Sequence, residues 1–340
     1  KNRGRRFSNF FSITTNKGGL TTATGDIWTG CLSTDWHTAG NWFDGTVPTA
    51  TDDVTIPDVT NNPVVMAGTA AVAQSVTINA NAALTVEDMG SLTINGFANN
   101  PNDFTTAGMH NSGTVTNNGV ITLGSTASVS NHAIYNNGMV FNNAGAQMHL
   151  DRAEKDGIEN NGSFTNAGDI TIGAIDLGQF GILNKGAFDN ATGAEIAIDR
   201  SDDTGLRNAS GTFNNAGKIT LGAGASVGTN GLTNFAVFNN QAGGEIHLDN
   251  SFKVGLYNSG TFTNEAKIKI GQMVSPGDYG LWQQSHSAMF HNNVGGEIYI
   301  DRAGDTGLRN QFGTFNNAAK IVIGAVADVG FDGIYNSATL

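Results

Sequence analysis

The residues best able to do chemistry are scattered along this chain, and most of them recur. Seven histidines, His37, His110, His132, His149, His247, His286 and His291, are the candidates for metal binding or proton transfer. Only His286 and His291 approach zinc-ligand spacing, and they lack the cysteines or intervening glutamate that such sites use. His149 and His247 hold equivalent places in a repeat and read as outward repeat residues. Asp151, Asp199, Asp249 and Asp301, with Arg152, Arg200 and Arg302, would have to gather in one groove to cleave a polysaccharide. They recur as rows instead, which reads as a surface ladder of alternating charge contributing under about 1 kcal/mol per exposed pair. Asp202, Asp203 and Asp305 offer oxygens to Ca2+, although no Gly-Gly-x-Gly-x-Asp series accompanies them. No catalytic residue, cofactor site or other metal ligand set is assigned from the sequence. The single cysteine, Cys31, rules out an intrachain disulfide.

Rows of like residues require a scaffold that repeats. The pattern Asn, short gap, Phe-x-Asn, small residue, Ile-x-Ile reads Asn160…Phe164-Thr165-Asn166…Ile170-Thr171-Ile172, and again from Asn208, Asn258 and Asn310. Sister units end in Asp-Arg, as in Ile196-Ala197-Ile198-Asp199-Arg200 and Ile298-Tyr299-Ile300-Asp301-Arg302. The aromatic positions recur every 23 to 28 residues, so the unit is about 25 residues and the two flavours alternate. Each unit contains three short alternating stretches separated by Gly or Asn, and none shows helical periodicity. Three strands and three turns make one coil, and a lone coil buries its apolar residues only by stacking on others. The predicted fold is all-β: a right-handed, single-stranded parallel β-helix, a β-solenoid with three short strands per coil. Nine or ten coils at strand spacing give a rod about 45 Å long.

Stacking turns repeat positions into columns. Phe141, Phe164, Phe188, Phe213, Phe238, Phe262, Phe290 and Phe315 are the expected internal aromatic stack, with Val115 below them. Two residues on, Asn117, Asn143, Asn166, Asn190, Asn215, Asn240, Asn264, Asn292 and Asn317 are the expected structural asparagine ladder, since stacked amides hydrogen-bond one another. A second row runs Asn111, Asn136, Asn160, Asn184, Asn208, Asn234, Asn258, Asn310 and Asn336, broken near Gln283. The repeat breaks most in residues 272–291, which include Met273, Pro276, Trp282 and His286.

Composition sets the class. Gly is abundant at 46 residues, Pro is scarce at 5, and only 14% of residues are charged, which suits many strands and tight turns rather than helices. The net charge of −12 argues against a nucleic-acid partner, which would call for a basic face. No apolar run is long enough for a membrane-spanning helix. Lys1–Arg6 is basic, but no apolar stretch follows to complete a signal peptide.

The N-terminal side reads Trp28-Thr29-Gly30, Ser33-Thr34-Asp35-Trp36, Asn41-Trp42-Phe43-Asp44-Gly45, Val47-Pro48 and Asp52-Asp53-Val54-Thr55-Ile56-Pro57. Over about residues 26–100 it resembles the opening of large secreted surface proteins of Bacteroidota, in which a Trp-containing head leads into a β-helix. The later coils resemble the β-helical stalks of bacterial adhesins. The resemblance implies export and an extracellular or cell-surface location. Three regions are expected: a flexible or docking arm (1–25), a Trp-rich cap (26–60) in which Trp28, Trp36, Trp42 and Phe43 cover the open end of the rod, and the β-helix itself (61–340). Residues 96–108 read as a loop bulging from the rod. Leu340 falls inside a coil, so the solenoid is expected to continue in a longer chain or to be covered by another subunit, as in a homo-oligomer or fibre.

The expected function is therefore a non-enzymatic structural or adhesive segment, a rigid stalk or filament subunit with a cell-surface or glycan ligand. The alternative is a β-helix carbohydrate-active enzyme, a polysaccharide lyase or hydrolase. An ice-binding face fits poorly, because Thr212, Thr261 and Thr314 recur only in alternate coils, and the sister coils place Ala187 and Val237 at that position.

Overall fold

The computed structural model describes residues 26–96, 107–129 and 131–338. The expected arm, residues 1–25, and most of the expected loop, residues 96–108, lie outside the described residues. The rest is a β-solenoid with three strands per turn. Three parallel sheets of thirteen, eleven and eleven strands run along it. The chain visits them in turn, so each strand pairs with its counterpart one coil earlier and one coil later. Among the described residues no helix is long and apolar enough to cross a membrane.

The second sheet carries the aromatic column. Phe164, Phe188, Phe213, Phe238, Phe262, Phe290 and Phe315 align residue on residue. Their ring centroids are 4.7–4.9 Å apart and the rings are within 7° of parallel. The strand spacing of about 4.8 Å sets this separation, which lies within the range that stacked aromatic pairs favour. Each fully buried Phe stabilises the rod by roughly 2–3 kcal/mol.

Phe141 is not in this column. Val140 is buried and pairs with Phe164, while Phe141 points outward between Thr116 and Thr165. The asparagine after it follows suit: Asn142, not Asn143, enters the ladder. Asn143 lies at the surface and donates to Asn118 Oδ1 at 2.7 Å. A one-residue shift exchanges the two faces of a strand. The corner decides the frame. Asn142 stands three residues before Gly145 (φ +83°), just as Asn190, Asn240 and Asn292 stand three before Gly193, Gly243 and Gly295, whose φ values are +85°, +89° and +93°. These four coils turn the corner from the second to the third sheet with a long connection that needs a left-handed glycine; the coils between them use a shorter turn, such as Asn166-Ala167-Gly168. This alternation is the structural basis of the two repeat flavours.

Two unbroken amide ladders run inside the corners. Asn117, Asn142, Asn166, Asn190, Asn215, Asn240, Asn264, Asn292 and Asn317 are linked Nδ2 to Oδ1 at 2.7–2.8 Å. Asn111 through Asn258 form the second ladder at 2.7–2.9 Å. Gln283 carries that ladder onward rather than breaking it: it accepts from Asn258 and donates to Asn310, both at 3.2 Å. The second proton of most of these amides goes to a backbone carbonyl one coil ahead, as from Asn215 to Glu245 O.

The cap packs three indoles edge to face, Trp28 on Trp42 at 4.9 Å and Trp36 on Trp42 at 4.8 Å. Asn41, fully buried, ties the surrounding loop with four hydrogen bonds, to the amides of Leu32 and Ser33, to Ser33 Oγ and to Asp35 O. Phe43 takes no part in covering the rod, being 78% exposed. Segment 26–60 also supplies the first two strands of the first sheet, Asp26–Ile27 and Asp53–Ile56, so cap and rod share one hydrogen-bonded sheet. Partial burial, and then the charges of Asp44 and Asp52, push the Asp26 carboxyl up to about 6.

The Asp-Arg rows are not ladders of ion pairs. Arg152 donates to Gly124 O (2.9 Å) and Arg302 to Gly271 O (3.0 Å), each capping the end of the preceding coil's third-sheet strand. Asp199, Asp249 and Asp301 accept from the amides of Gly224, Met273 and Val326 in the following coil. The alternating charge ladder lies elsewhere, on the outer edge of the third sheet, where Glu195, Lys218, Glu245, Lys267, Glu297 and Lys320 stand in register. There the Glu195–Lys218 pair closes to 2.7 Å.

Two outcomes follow. Asn215→Ala strands a buried amide on each side and lowers the unfolding free energy by about 3 kcal/mol in urea titration, whereas Asn214→Ala, one residue away on the solvated face, costs under about 1 kcal/mol. For Asp26, the folded carboxyl binds its proton near pH 6 and the unfolded one near 3.8, so its favourable contribution is present below that lower value and lost as pH rises through about 6. Asp26→Asn therefore raises the thermal midpoint at pH 7 to 8, and the gain vanishes near pH 4.

Candidate functional site

The outer face of the first sheet carries the chemistry. Its repeating strand has the form x-Gly-Leu-x-Asn, as in Thr204–Asn208 and Thr306–Asn310. The Leu and Asn side chains are buried; the variable position before Asn is part-exposed in most coils, and the first variable position is covered in most of them. In most coils of the other sheets the outward residues are Thr, Asn, Glu, Lys or other small and charged groups. On the first sheet several of them are large, among them Arg207, Tyr257, Trp282 and Arg309.

One chain of contacts runs along the axis of the rod. The Arg207 guanidinium lies between the Phe180 and Phe235 rings, 5.2 and 5.0 Å from their centroids. Phe235 leans on Tyr257 (5.9 Å), Tyr257 meets Trp282 edge-on (5.4 Å), and Trp282 meets Tyr279 (5.1 Å). Arg309 then lies between Tyr279 (4.9 Å) and Tyr335 (5.2 Å) and donates to the Tyr279 hydroxyl at 2.6 Å. The eight residues span seven consecutive strands, on the order of 30 Å. Phe235 and Tyr335 are exposed and the other rings are half-buried, apart from Phe180. Polar groups border the strip: Tyr257 donates to Gln284 Oε1 at 2.7 Å, and Trp282 Nε1 to Gln311 Oε1 at 3.3 Å. Such a surface offers aromatic faces, fixed guanidinium donors and amides together.

Sequence reasoning missed this strip. Part of its signal was the residue just before each member of the second row, Gln283 included: His110, Tyr135, Glu159, Leu183, Arg207, Thr233, Tyr257, Trp282, Arg309 and Tyr335; Phe180, Phe235 and Tyr279 lie outside that row. Segment 272–291 is part of it, since Tyr279–Gln283 is a regular strand of the first sheet. The extra residues form a longer corner, from which His286 stacks on Phe312 at 4.2 Å. His291 lies on the second sheet against Asn316, so the two histidines serve different neighbours. Asp202–Asp203 and Asp305 precede strands four coils apart, about 19 Å at strand spacing, and cannot share one Ca2+.

At the N-terminal end of the same face lies a buried polar cluster. His132 Nδ1 is 3.0 Å from Asp156 Oδ2, and His132 Nε2 is 3.6 Å from Glu159 Oε2. Lys185 Nζ reaches Glu159 Oε1 at 2.6 Å. Burial acts to raise the Glu159 carboxyl, but the Lys185 hydrogen bond and the charges of His132 and Lys185 outweigh it and hold it below the usual glutamate value.

A family model described as a domain of unknown function (DUF8693) matches residues 27–144, which cover the cap, the first coils and His132. No curated protein and no solved structure matches the chain.

The strip generates a stability difference. Arg207→Ala removes a cation held between two rings and costs about 1 kcal/mol, measured as a shift in the urea midpoint, while Lys269→Ala on the third sheet's outer face leaves the midpoint in place.

Proposed function

We propose that this chain is a non-enzymatic rod segment of a secreted bacterial surface adhesin or appendage, and that it holds its ligand along the outer face of the first sheet. The observation that carries the reading is the continuous aromatic and arginine strip from Phe180 to Tyr335. Internal packing does not call for it: the coils stack through the Phe column and the amide ladders on the inside, and the outward positions of the other two sheets carry mostly small or charged residues. Large rings placed in water cost solvation unless something covers them. The strip is long, narrow and parallel to the rod, which matches an extended polymer better than a small molecule. Aromatic faces stack on the C–H surfaces of sugar rings, while Arg, Gln and Tyr hydroxyl groups bond their oxygens, so the ligand class proposed is a cell-surface glycan. The resemblance of residues 26–100 to secreted Bacteroidota surface proteins supports the extracellular setting.

The test uses the tryptophans. Trp28, Trp36 and Trp42 are buried, and Trp282 is the indole on the strip. Glycans that bind change the fluorescence of Trp282, and Tyr257→Ala and Trp282→Ala reduce retention on a glycan array by at least about tenfold, the size expected from losing one anchor worth 1.4 kcal/mol or more. Binding that survives both substitutions refutes the strip as the ligand face. Release of new sugar ends from the polymer during incubation would replace the adhesive reading with that of a carbohydrate-active enzyme.

A further inference from the structure

We propose that His132, Asp156 and Glu159 form a binding site for a divalent transition-metal ion of the Zn2+ class. Two adjacent strands of the first sheet build it. His132 and Asp156 are register partners, and Glu159 stands three residues beyond Asp156, at the next outward position of the same strand. One ligand atom from each residue lies within 4.8 Å of the other two. An imidazole with two carboxylates is a donor set that suits Zn2+ and its neighbours, and three protein ligands leave a coordination position open.

Two further observations point to a ligand. All three residues are almost wholly buried, His132 at 1%, Asp156 at 0% and Glu159 at 5% exposure. Yet His132 Nδ1 and Asp156 Oδ2 approach to 3.0 Å as an ion-pair contact without hydrogen-bond geometry, and neither atom has any other hydrogen-bond partner among the described residues. Asp156 Oδ1 accepts only a long bond from the Phe180 amide, at 3.2 Å. Buried polar atoms without a hydrogen bond are costly, and a cation ligated by both would satisfy them. The set is also particular to this place in the rod. The same two outward positions hold Phe180 and Leu183 one coil on, Thr204 and Arg207 two coils on, and Asn230 and Thr233 three coils on. A purely structural repeat would not concentrate its ionisable groups in one pair of coils.

Lys185 is the competitor. Its ammonium sits on Glu159 Oε1 and serves as the counter-ion that a metal would partly replace. An ion-pair cluster of His132, the two acids, Lys185 and Lys155, whose ammonium lies 3.9 Å from Glu159 Oε2, is thus the opposing account, and the two differ in what they take up. The chain, stripped with EDTA and dialysed, is titrated with ZnCl2 by calorimetry and with Co2+ by visible absorption. The site predicts saturable uptake of one ion per chain, a tetrahedral Co2+ spectrum, and a thermal midpoint that rises with Zn2+ and falls back with EDTA. His132→Ala and Asp156→Asn each weaken binding by about tenfold or more, and Lys185→Met tightens it. No saturable uptake and no midpoint shift in the unaltered chain overturns the proposal, without recourse to any variant. Uptake of equal strength in the unaltered chain and in both ligand variants overturns it as well.

Discussion

The spacing of stacked strands, about 4.8 Å, is the constraint from which the rest of the molecule follows. It matches the repeat at which one carboxamide can donate to the next, and both internal ladders use it, with Nδ2–Oδ1 distances of 2.7–2.9 Å between successive asparagines. Each amide sits inside a corner, where the chain leaves one sheet for the next and backbone groups would otherwise lack partners. Its oxygen can accept from the backbone two residues on, as Asn111 does from Gly113, and its second proton reaches a carbonyl one coil ahead. The ladder therefore satisfies the turn and joins the coils with the same side chain. Apolar residues could fill those corners but would leave the turn's amides and carbonyls buried and unsatisfied.

The interior tolerates little variation along the axis, and the exterior tolerates a great deal. Inside, Phe follows Phe and Ile follows Ile, because each must cover the one before. Even the exception, Gln283, keeps the ladder by reaching one methylene further while its corner lengthens to accommodate it. Outside, the three faces diverge. The second sheet presents mostly small polar groups, the third an alternation of Glu and Lys that neutralises itself from coil to coil, and the first an aromatic and cationic strip with a buried acid and histidine cluster at its N-terminal end. A rod of this kind divides its strands: the inward half fixes the stack, and the outward half is free to vary.

Much of this was legible in the sequence because the repeat is long and regular. A period of about 25 residues with Phe-x-Asn and Ile-x-Ile at fixed places points to three strands per coil, the aromatic column and the asparagine rows, and the need to cover an open end points to the tryptophans of the cap. The frame at Phe141 was not legible from the aromatic alone, since Val140-Phe141-Asn142-Asn143 reads equally well in two registers. The corner glycine, Gly145, selects one of them by the backbone conformation it supplies. Phe43 looked like a cap residue by composition, but it stands in solvent while the three indoles are buried.

What the sequence could not yield was anything that depends on which outward residues meet. Identity down a column follows from periodicity, and so it can be read by counting. Contacts across columns do not, because they join an edge position of one coil to a different position, or a corner, of the next. Arg207 between Phe180 and Phe235, and His132 beside both Asp156 and Glu159, are separated by 24 to 28 residues and share no motif. The sequence by itself determined the rod, because stacking requires only that like repeat over like. The tertiary structure alone decided where the outer face gathers rings, guanidinium groups and ionisable side chains, because those clusters form where unlike residues are brought together by the pitch of the coil.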